Sequence, residues 1–544
     1  MGILEILTYT GISIAFLLFL TLQSFTTFDS YFHMQVAKHY RESWFSTFLQ
    51  KVGMIDLSTY PPLAHQLVAL IPMPIEISYS LLTIIFYVLL SFFSAKFVTS
   101  YLKIKNKFWL TYFLVLFTPA LLITTFTFGQ FTTLVGLTFS FISLYYFSEF
   151  LDKGREKSLL LASFSLILTA YSHLLSFLIL TIFYLFILLF RLKFVIKNLK
   201  LTLSCFLLSF ILIFPLYYPF FQKSVIQKEI PHWSRYPFKD ESNTKRFVNM
   251  YGITFPISFF LPFMIISLEK NKRRRAIEIY VLGLTFLILS LGTTIPFVKI
   301  FGSVAYWLVY ERFLLTSSII FISLFSALLP ELWIILNKKK IPIYAVLPIL
   351  WVIISYKTLL YTHSLFFQDP IKTHDKSVRL QSTSFILDFL NNIDGEYRYQ
   401  TFGYGRPIGE IYFYSKMPTL DTDYFTGRTI QWIRELGVDE IDQVRDKELL
   451  NIFVDYATNY SVKYAITFDD FYFNYFRHRG WKLLTQRDFG GKKVAIWENP
   501  ENLKEIAFEK EKYGLLNYLR GTLPLALLIT FVFFLIRSKL QKLK

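Results

Sequence analysis

Apolar runs long enough to cross a hydrocarbon core of about 30 Å recur at residues 3–25, 78–98, 108–124, 132–150, 158–172, 174–190, 201–219, 252–268, 277–293, 313–333, 341–361 and 521–536. The pattern predicts a polytopic α-helical membrane protein with roughly twelve spans. Two polar stretches carry patterns of their own. After the first run, Val36, Tyr40, Trp44 and Phe48 recur at helical spacing with Lys38, Arg41 and Glu42 on the other faces, which predicts an amphipathic helix lying in the membrane interface. Between residues 363 and 520 the periodicity changes. Helices are expected at 377–392 and 446–460 and strands at 397–402 and 462–468, with a hairpin formed by 481–487 and 493–498 across Gly490-Gly491. That region reads as a small sheet with covering helices.

Charge orients these segments. The formal net charge of +18 is gathered in alternate short loops: Lys103, Lys105 and Lys107; Lys153, Arg155 and Lys157; Arg191, Lys193, Lys197 and Lys200; Lys270 and Lys272 to Arg275; Lys338 to Lys340; and the basic tail from Arg537. Such spacing follows the positive-inside rule and not a nucleic-acid surface, and it places both termini in the cytoplasm. Asp29, the loop at 220–249 and residues 363–520 then face outward. The first run lacks a basic flank and a small-residue cleavage site, so it reads as a retained signal anchor. A composition of 54% hydrophobic and 19% aromatic residues excludes an ordinary soluble globule. The single cysteine, Cys205, lies in an apolar run, so no intrachain disulfide is available. Three regions result: a membrane domain at 1–361 with its first outer loop at 26–77, an extracytoplasmic α/β domain at 362–520, and a final anchor with a basic tail at 521–544.

The polar residues able to do chemistry cluster at the outer ends of the spans. Asp29 follows the first run in Phe28-Asp29-Ser30-Tyr31-Phe32-His33, and His33 stands one helical turn beyond it. Asp29 could serve as a base or as an N-cap, and His33 as its partner or as a solvated imidazole. Tyr60-Pro61-Pro62-Leu63-Ala64-His65 is a stiff entry to the following helix. Arg312 begins a span on the side assigned to Asp29, and its planar fork suits a phosphate. Snorkelling or a local pair with Glu311 would also account for it. His232 and Arg235, with Asp240 and Glu241, could contact an acceptor or simply solvate the loop, and His173 at an outer helical hairpin carries the same two readings. Asp421-Thr422-Asp423 matches the short D-x-D metal pattern, but no Rossmann-like phosphate loop accompanies it, and turn chemistry explains it as well.

The first loop resembles that of the GT-C membrane glycosyltransferases, through Phe28 to His33, the amphipathic segment after it, and Tyr60 to His65. The similarity is nearest to archaeal and bacterial membrane proteins labelled 6-pyruvoyl-tetrahydropterin synthase-related, and it extends to Phe128-Gly129-Gln130-Phe131, Ala170-Tyr171-Ser172-His173 and Glu311-Arg312-Phe313. It implies a polyprenyl-phosphate (dolichol-type) sugar donor, a glycan, lipid or protein acceptor, Asp29 as the catalytic acid position, and Tyr60 and His65 near substrate. Asp29 would act as base or as ligand to a divalent metal, Mg or Mn. Oligosaccharyltransferase catalytic subunits are similar more distantly. Here Ser30 replaces their Pro after the acid, and no W-W-D-Y-G acceptor motif is present.

Two other function classes fit a polytopic chain. A secondary transporter should show mid-membrane charges and paired broken helices, whereas Lys96, Glu278 and Lys357 lie near span ends and no repeat is evident. A noncatalytic cell-surface assembly protein of GT-C architecture would keep the fold without needing Asp29.

Overall fold

The computed structural model describes residues 28–104, 107–222, 241, 244, 247–248, 252–294, 308–336, 351–358, 376–405, 408–422, 429–430, 441–508 and 511–543. The runs expected at 3–25 and, for the most part, 341–361 lie outside them.

Helix α1 (Phe28–Glu42) leads into a two-stranded ribbon, β1 (Phe48–Leu49) and β2 (Ile55–Asp56), and then α2 (Leu63–Leu70) and α3 (Ile75–Tyr101). The chain continues through α4 (Phe108–Leu116), α5 (Pro119–Leu122), a π-helical turn (Ile123–Thr127), α6 (Phe131–Lys153), α7 (Glu156–Ser172), α8 (Leu174–Phe190), α9 (Leu192–Lys197) and α10 (Leu199–Gln222). Helices α11 (Thr254–Ile266), α12 (Lys270–Ser290) and α13 (Glu311–Leu336) complete this part. Five helices among the described residues are long and apolar enough to cross a membrane: α3, α6, α10, α13 and the last helix of the chain. The segment expected at 108–124 is a pair, Phe108–Leu116 and Pro119–Thr127, bent by 49°. Pro119 accounts for the break, since it offers no amide to continue α4.

Which helix faces lipid follows from burial. The apolar window of α13 is 89% buried, whereas that of α10 is 22% buried. On α10, Leu199, Leu203, Leu207 and Ile211 form an exposed stripe at four-residue spacing, a face that only an apolar solvent tolerates. The central helix α6 is rich in buried Ser and Thr, whose hydroxyls fold back on its own carbonyls, as Thr138 does to Leu134 at 2.8 Å and Ser140 to Gly136 at 2.9 Å. These small side chains let α3 and α7 pack closely on it.

The segment after α13 contains a mixed sheet ordered β3-β4-β6-β5. Strand β3 (Arg398–Phe402) runs parallel to β4 (Val462–Thr467), and β5 (Lys482–Phe489) and β6 (Lys492–Glu498) form the antiparallel hairpin read from Gly490-Gly491. Helices α14 (Lys376–Asn391), α15 (Ile408–Tyr414), α16 (Lys447–Ala457) and α17 (Asp470–His478) accompany it, before α18 (Leu515–Leu543).

Two expectations change. The stripe from Val36 to Phe48 is not one interfacial helix. Helix α1 ends at Glu42, Phe48 lies on β1, and Val36 and Tyr40 are buried against protein, because α2 and α15 cover that face. The last helix begins at Leu515 and not at 521, its start bound by Asn517 Oδ1 accepting from the Gly514 amide at 3.2 Å.

The basic loops meet at one end of the bundle. Glu278, 2% exposed, accepts from Arg191 at 2.9 Å, from Arg274 at 3.2 Å and from the Tyr101 hydroxyl. Arg275 binds both oxygens of Asp152 at 2.7 and 3.0 Å. Removing one partner of a buried ion pair leaves the others uncompensated, at a cost of about 3 kcal/mol or more. Glu278→Ala should therefore lower the melting temperature in detergent clearly, and Glu278→Gln, which still accepts hydrogen bonds, should lower it less. Equal melting of all three proteins would contradict the load assigned to this acid.

Candidate active site

At the opposite end of the bundle, four side chains from four separate segments join in one hydrogen-bonded line. Asp29, in the first turn of α1, accepts from Gln130 Nε2. Gln130 Oε1 accepts from Arg312 Nη2, and Arg312 Nη1 donates to His173 Nε2. The sequence positions each member. Gly129, at φ 66°, makes the turn that ends the π-helical segment, and its carbonyl accepts from the Tyr79 hydroxyl at 3.2 Å, which sets Gln130 at the start of α6. Gly136 clears the approach of the α7–α8 corner: a Cβ there would meet His173 Cβ and Ser176 Cβ at 2.8 Å each. Arg312 lies in the first turn of α13.

Arginine can only donate, so His173 Nε2 must be unprotonated. On the other side of the ring, Nδ1 lies 2.8 Å from Ser176 Oγ and 3.2 Å from the Ser176 amide nitrogen, a contact that caps α8. The same reasoning fixes the Gln130 amide, nitrogen toward the carboxylate and oxygen toward the guanidinium. The Gln130 amide thus bridges the carboxylate and the guanidinium, which also feel each other's charge. Arg312 Nε, a buried atom, has no hydrogen-bond partner among the described residues.

A second cluster stands beside this line. His33 Nδ1 and His65 Nε2 lie 3.0 Å apart, and Tyr60 packs with its ring centroid 5.4 Å from that of His65. Burial, then the neighbouring His65 and Arg312, holds His33 well below the usual imidazole range. Burial pushes His65 down to about 3, against a weaker opposing pull from the Pro61 carbonyl. Both imidazoles are neutral, so one donates and the other accepts. The Tyr60 phenol lies within electrostatic reach of Arg312.

The structure thus brings Asp29 and Arg312 together and groups His33, Tyr60 and His65 next to them. His232 and Arg235 lie outside the described residues. Gln130 and His173 complete the line. The spelling Phe128-Gly129-Gln130-Phe131 was the only trace of Gln130 in the sequence, because an uncharged amide gives no electrostatic signal of its role. Among the described residues no group of three His, Cys, Asp or Glu side chains could hold a metal ion, and Gln130 turns a donor toward Asp29 where a metal site needs an oxygen. Among the described residues, this line does not fit a divalent metal.

Two further features separate from the site. Asp421 is buried under Thr401, whose amide and hydroxyl both bond it at 3.0 Å, while Asp442 accepts from the Tyr404 and Gly405 amides at 2.9 and 2.6 Å. Burial and the nearby Asp421 raise Asp442 to about 7. Asp421 is thus engaged in holding the sheet, and Asp423 lies outside the described residues. A groove of about 340 Å³ lined by Lys38, Arg41, Glu42, Ile75, Glu76, Phe413 and Tyr414 lies on the other side of α1, since Lys38 is nine residues from Asp29 and so half a rotation away.

No protein-family model matches the chain, and no curated protein matches it in sequence. Among solved structures it is similar to ArnT from Cupriavidus metallidurans bound to undecaprenyl phosphate, at a TM-score of 0.51 and 10% identity, covering 90% of this chain and 98% of that one. At that identity the likeness is one of fold. It shows a shared fold, in keeping with the long apolar helices, and lends nothing to the pyruvoyl-tetrahydropterin synthase-related or oligosaccharyltransferase resemblances.

The paired histidines predict a pH response. Their folded-state values are depressed, so the unfolded chain binds more protons below about pH 6.5 and stability falls as pH is lowered. For His65 alone the loss between pH 7 and pH 5 is about 2 kcal/mol. Melting of the detergent-solubilised protein should drop over that range, and His65→Gln should flatten the slope. An identical slope in the variant would contradict a neutral buried pair.

Proposed function

We propose that this chain is a membrane glycosyltransferase that moves a sugar from a polyprenyl-phosphate donor to a hydroxyl of a glycan, lipid or protein acceptor on the outer face of the membrane. The observation that carries this reading is the Gln130 amide, which joins the Asp29 carboxylate to the Arg312 guanidinium in one hydrogen-bonded line.

In the transfer, the acceptor oxygen bonds to the anomeric carbon as the bond from that carbon to the phosphate oxygen breaks. Polyprenyl phosphate leaves with the electron pair, and the acceptor proton passes to Asp29. Arg312 offsets the charge that grows on the departing phosphate, and its unmatched Nε is the kind of orphan donor that an anion site keeps before it is filled. His173, held as an acceptor, orients the guanidinium. The neutral His33 and His65, with Tyr60, line the donor side without adding charge. The ArnT structure, which holds undecaprenyl phosphate, supports a polyprenyl-phosphate partner. The charge pattern of the loops supports an outward-facing site with the sheet-bearing segment above it.

The test uses the full chain in nanodiscs with a panel of undecaprenyl-phosphate-linked sugars, reading release of undecaprenyl phosphate. Asp29→Asn, nearly isosteric but not basic, should slow release by about two to four orders of magnitude with melting preserved. Arg312→Lys should weaken donor use in part and Arg312→Ala more, because lysine keeps the charge and loses the fork. Near-normal turnover by folded Asp29→Asn would sink the assignment, and full function in Arg312→Lys would reduce Arg312 to a helix-end cation.

A further inference from the structure

Arg520 is an arginine buried at 3% exposure in the first part of α18. It makes no ion pair among the described residues. Its two terminal nitrogens bond main-chain carbonyls of one turn in the first loop: Nη1 donates to Ser58, and Nη2 donates to Leu57 and Tyr60, each at 2.8 Å; the guanidinium also bonds the Tyr40 side chain, and its Nε has no partner among the described residues. The grip is returned. Gln66 Nε2 donates to the Arg520 and Gly521 carbonyls at 3.3 and 3.2 Å, and Trp44 Nε1 donates to Gly521 at 3.0 Å. Just before the helix, Glu511 accepts from the Ser46 hydroxyl at 2.6 Å and the Thr47 hydroxyl at 2.9 Å. The last helix is thus fastened to the loop on both sides of Tyr60.

The geometry points to Arg520 as a positioning residue for the site, one that sets Tyr60 against His65 and Arg312 by fixing the turn from Leu57 to Tyr60. The argument rests on the transfer reading above for what Tyr60 does, but not for where it sits. A buried guanidinium is costly unless hydrogen bonds offset its burial, and three carbonyls met from one planar group fix a turn in a way that a point charge cannot. Downstream of that turn, the Tyr60 ring packs edge-on to Phe32 at 6.0 Å and close to His65, with its phenol in the field of Arg312. The distant end of the chain therefore determines a distance inside the site, through Pro61 and Pro62, which transmit a shift of Tyr60 stiffly to His65.

The experiment compares Arg520→Lys, Tyr60→Phe and the double variant in the full chain, in nanodiscs, by release of undecaprenyl phosphate. Each single change should lower kcat by about tenfold, a loss on the scale of a small misplacement. The double should lose no more than about tenfold, because both act through one phenol. A multiplicative loss of about a hundredfold, or unchanged kcat in folded Arg520→Lys, would overturn the proposal. If Arg520→Lys fails to fold, Gln66→Leu, which removes the return contact, takes its place in the same cycle. A second readout needs no turnover: with Cys205→Ser removing the native thiol, a Tyr60→Cys probe should react with maleimide faster once Arg520→Lys is added. Equal labelling rates would overturn the positioning role whatever the chain transfers, whereas altered labelling without any donor turnover would leave it standing and fault the transfer reading.

Discussion

The arrangement depends on one uncharged amide. Gln130 accepts from Arg312 and donates to Asp29, so it satisfies an acid and a base that would otherwise collapse onto each other. In a region of low dielectric the attraction between such charges is strong, and the transfer proposed above asks each of them to keep some capacity for substrate. Everything around Gln130 serves to hold its two ends in register. Gly129 turns the chain into α6, Tyr79 holds the Gly129 carbonyl, and Gly136 lets His173 close on the far side of the guanidinium.

That register is set by packing from well outside the line. Helix α13, which carries Arg312, is the most deeply buried of the long apolar helices among the described residues, so its first turn has little freedom. Helix α1 is held by α2 and by α15 of the sheet-bearing segment, with Tyr31 against Phe413 at 5.9 Å. The sheet-bearing segment also touches the first loop directly, where Thr419 bridges Val52. The arginines that bind Glu278 and Asp152 tie the other end of the same helices. The catalytic proposal thus sits on a frame clamped at both ends.

Much of this frame was legible in the residues. The apolar runs gave the helices, and the alternation around Gly490-Gly491 gave the hairpin, because turn chemistry and strand periodicity are local signals. Asp29, His33 and Arg312 could be named because charged residues stand out at span ends, whereas Tyr60 and His65 were named only through the resemblance of the first loop to GT-C enzymes. The burial of the Val36 stripe could not be read, since an amphipathic face looks the same whether lipid or protein covers it. Gln130 was hidden for a related reason: its importance lies in which two segments flank it, and no local property of a glutamine encodes that. Nothing around Arg520 in the sequence marks it, because its partners lie far away along the chain in the turn from Leu57 to Tyr60.

The most direct measurement is a cryo-EM map of the full chain in nanodiscs with undecaprenyl phosphate. The account predicts phosphate density within hydrogen-bond reach of Arg312, with Gln130 still bridging to Asp29 and the lipid tail leaving along the helices. Phosphate held instead at Lys38 and Arg41 in the groove on the other side of α1, with the Asp29–Gln130–Arg312–His173 line unchanged and empty of ligand, would contradict it.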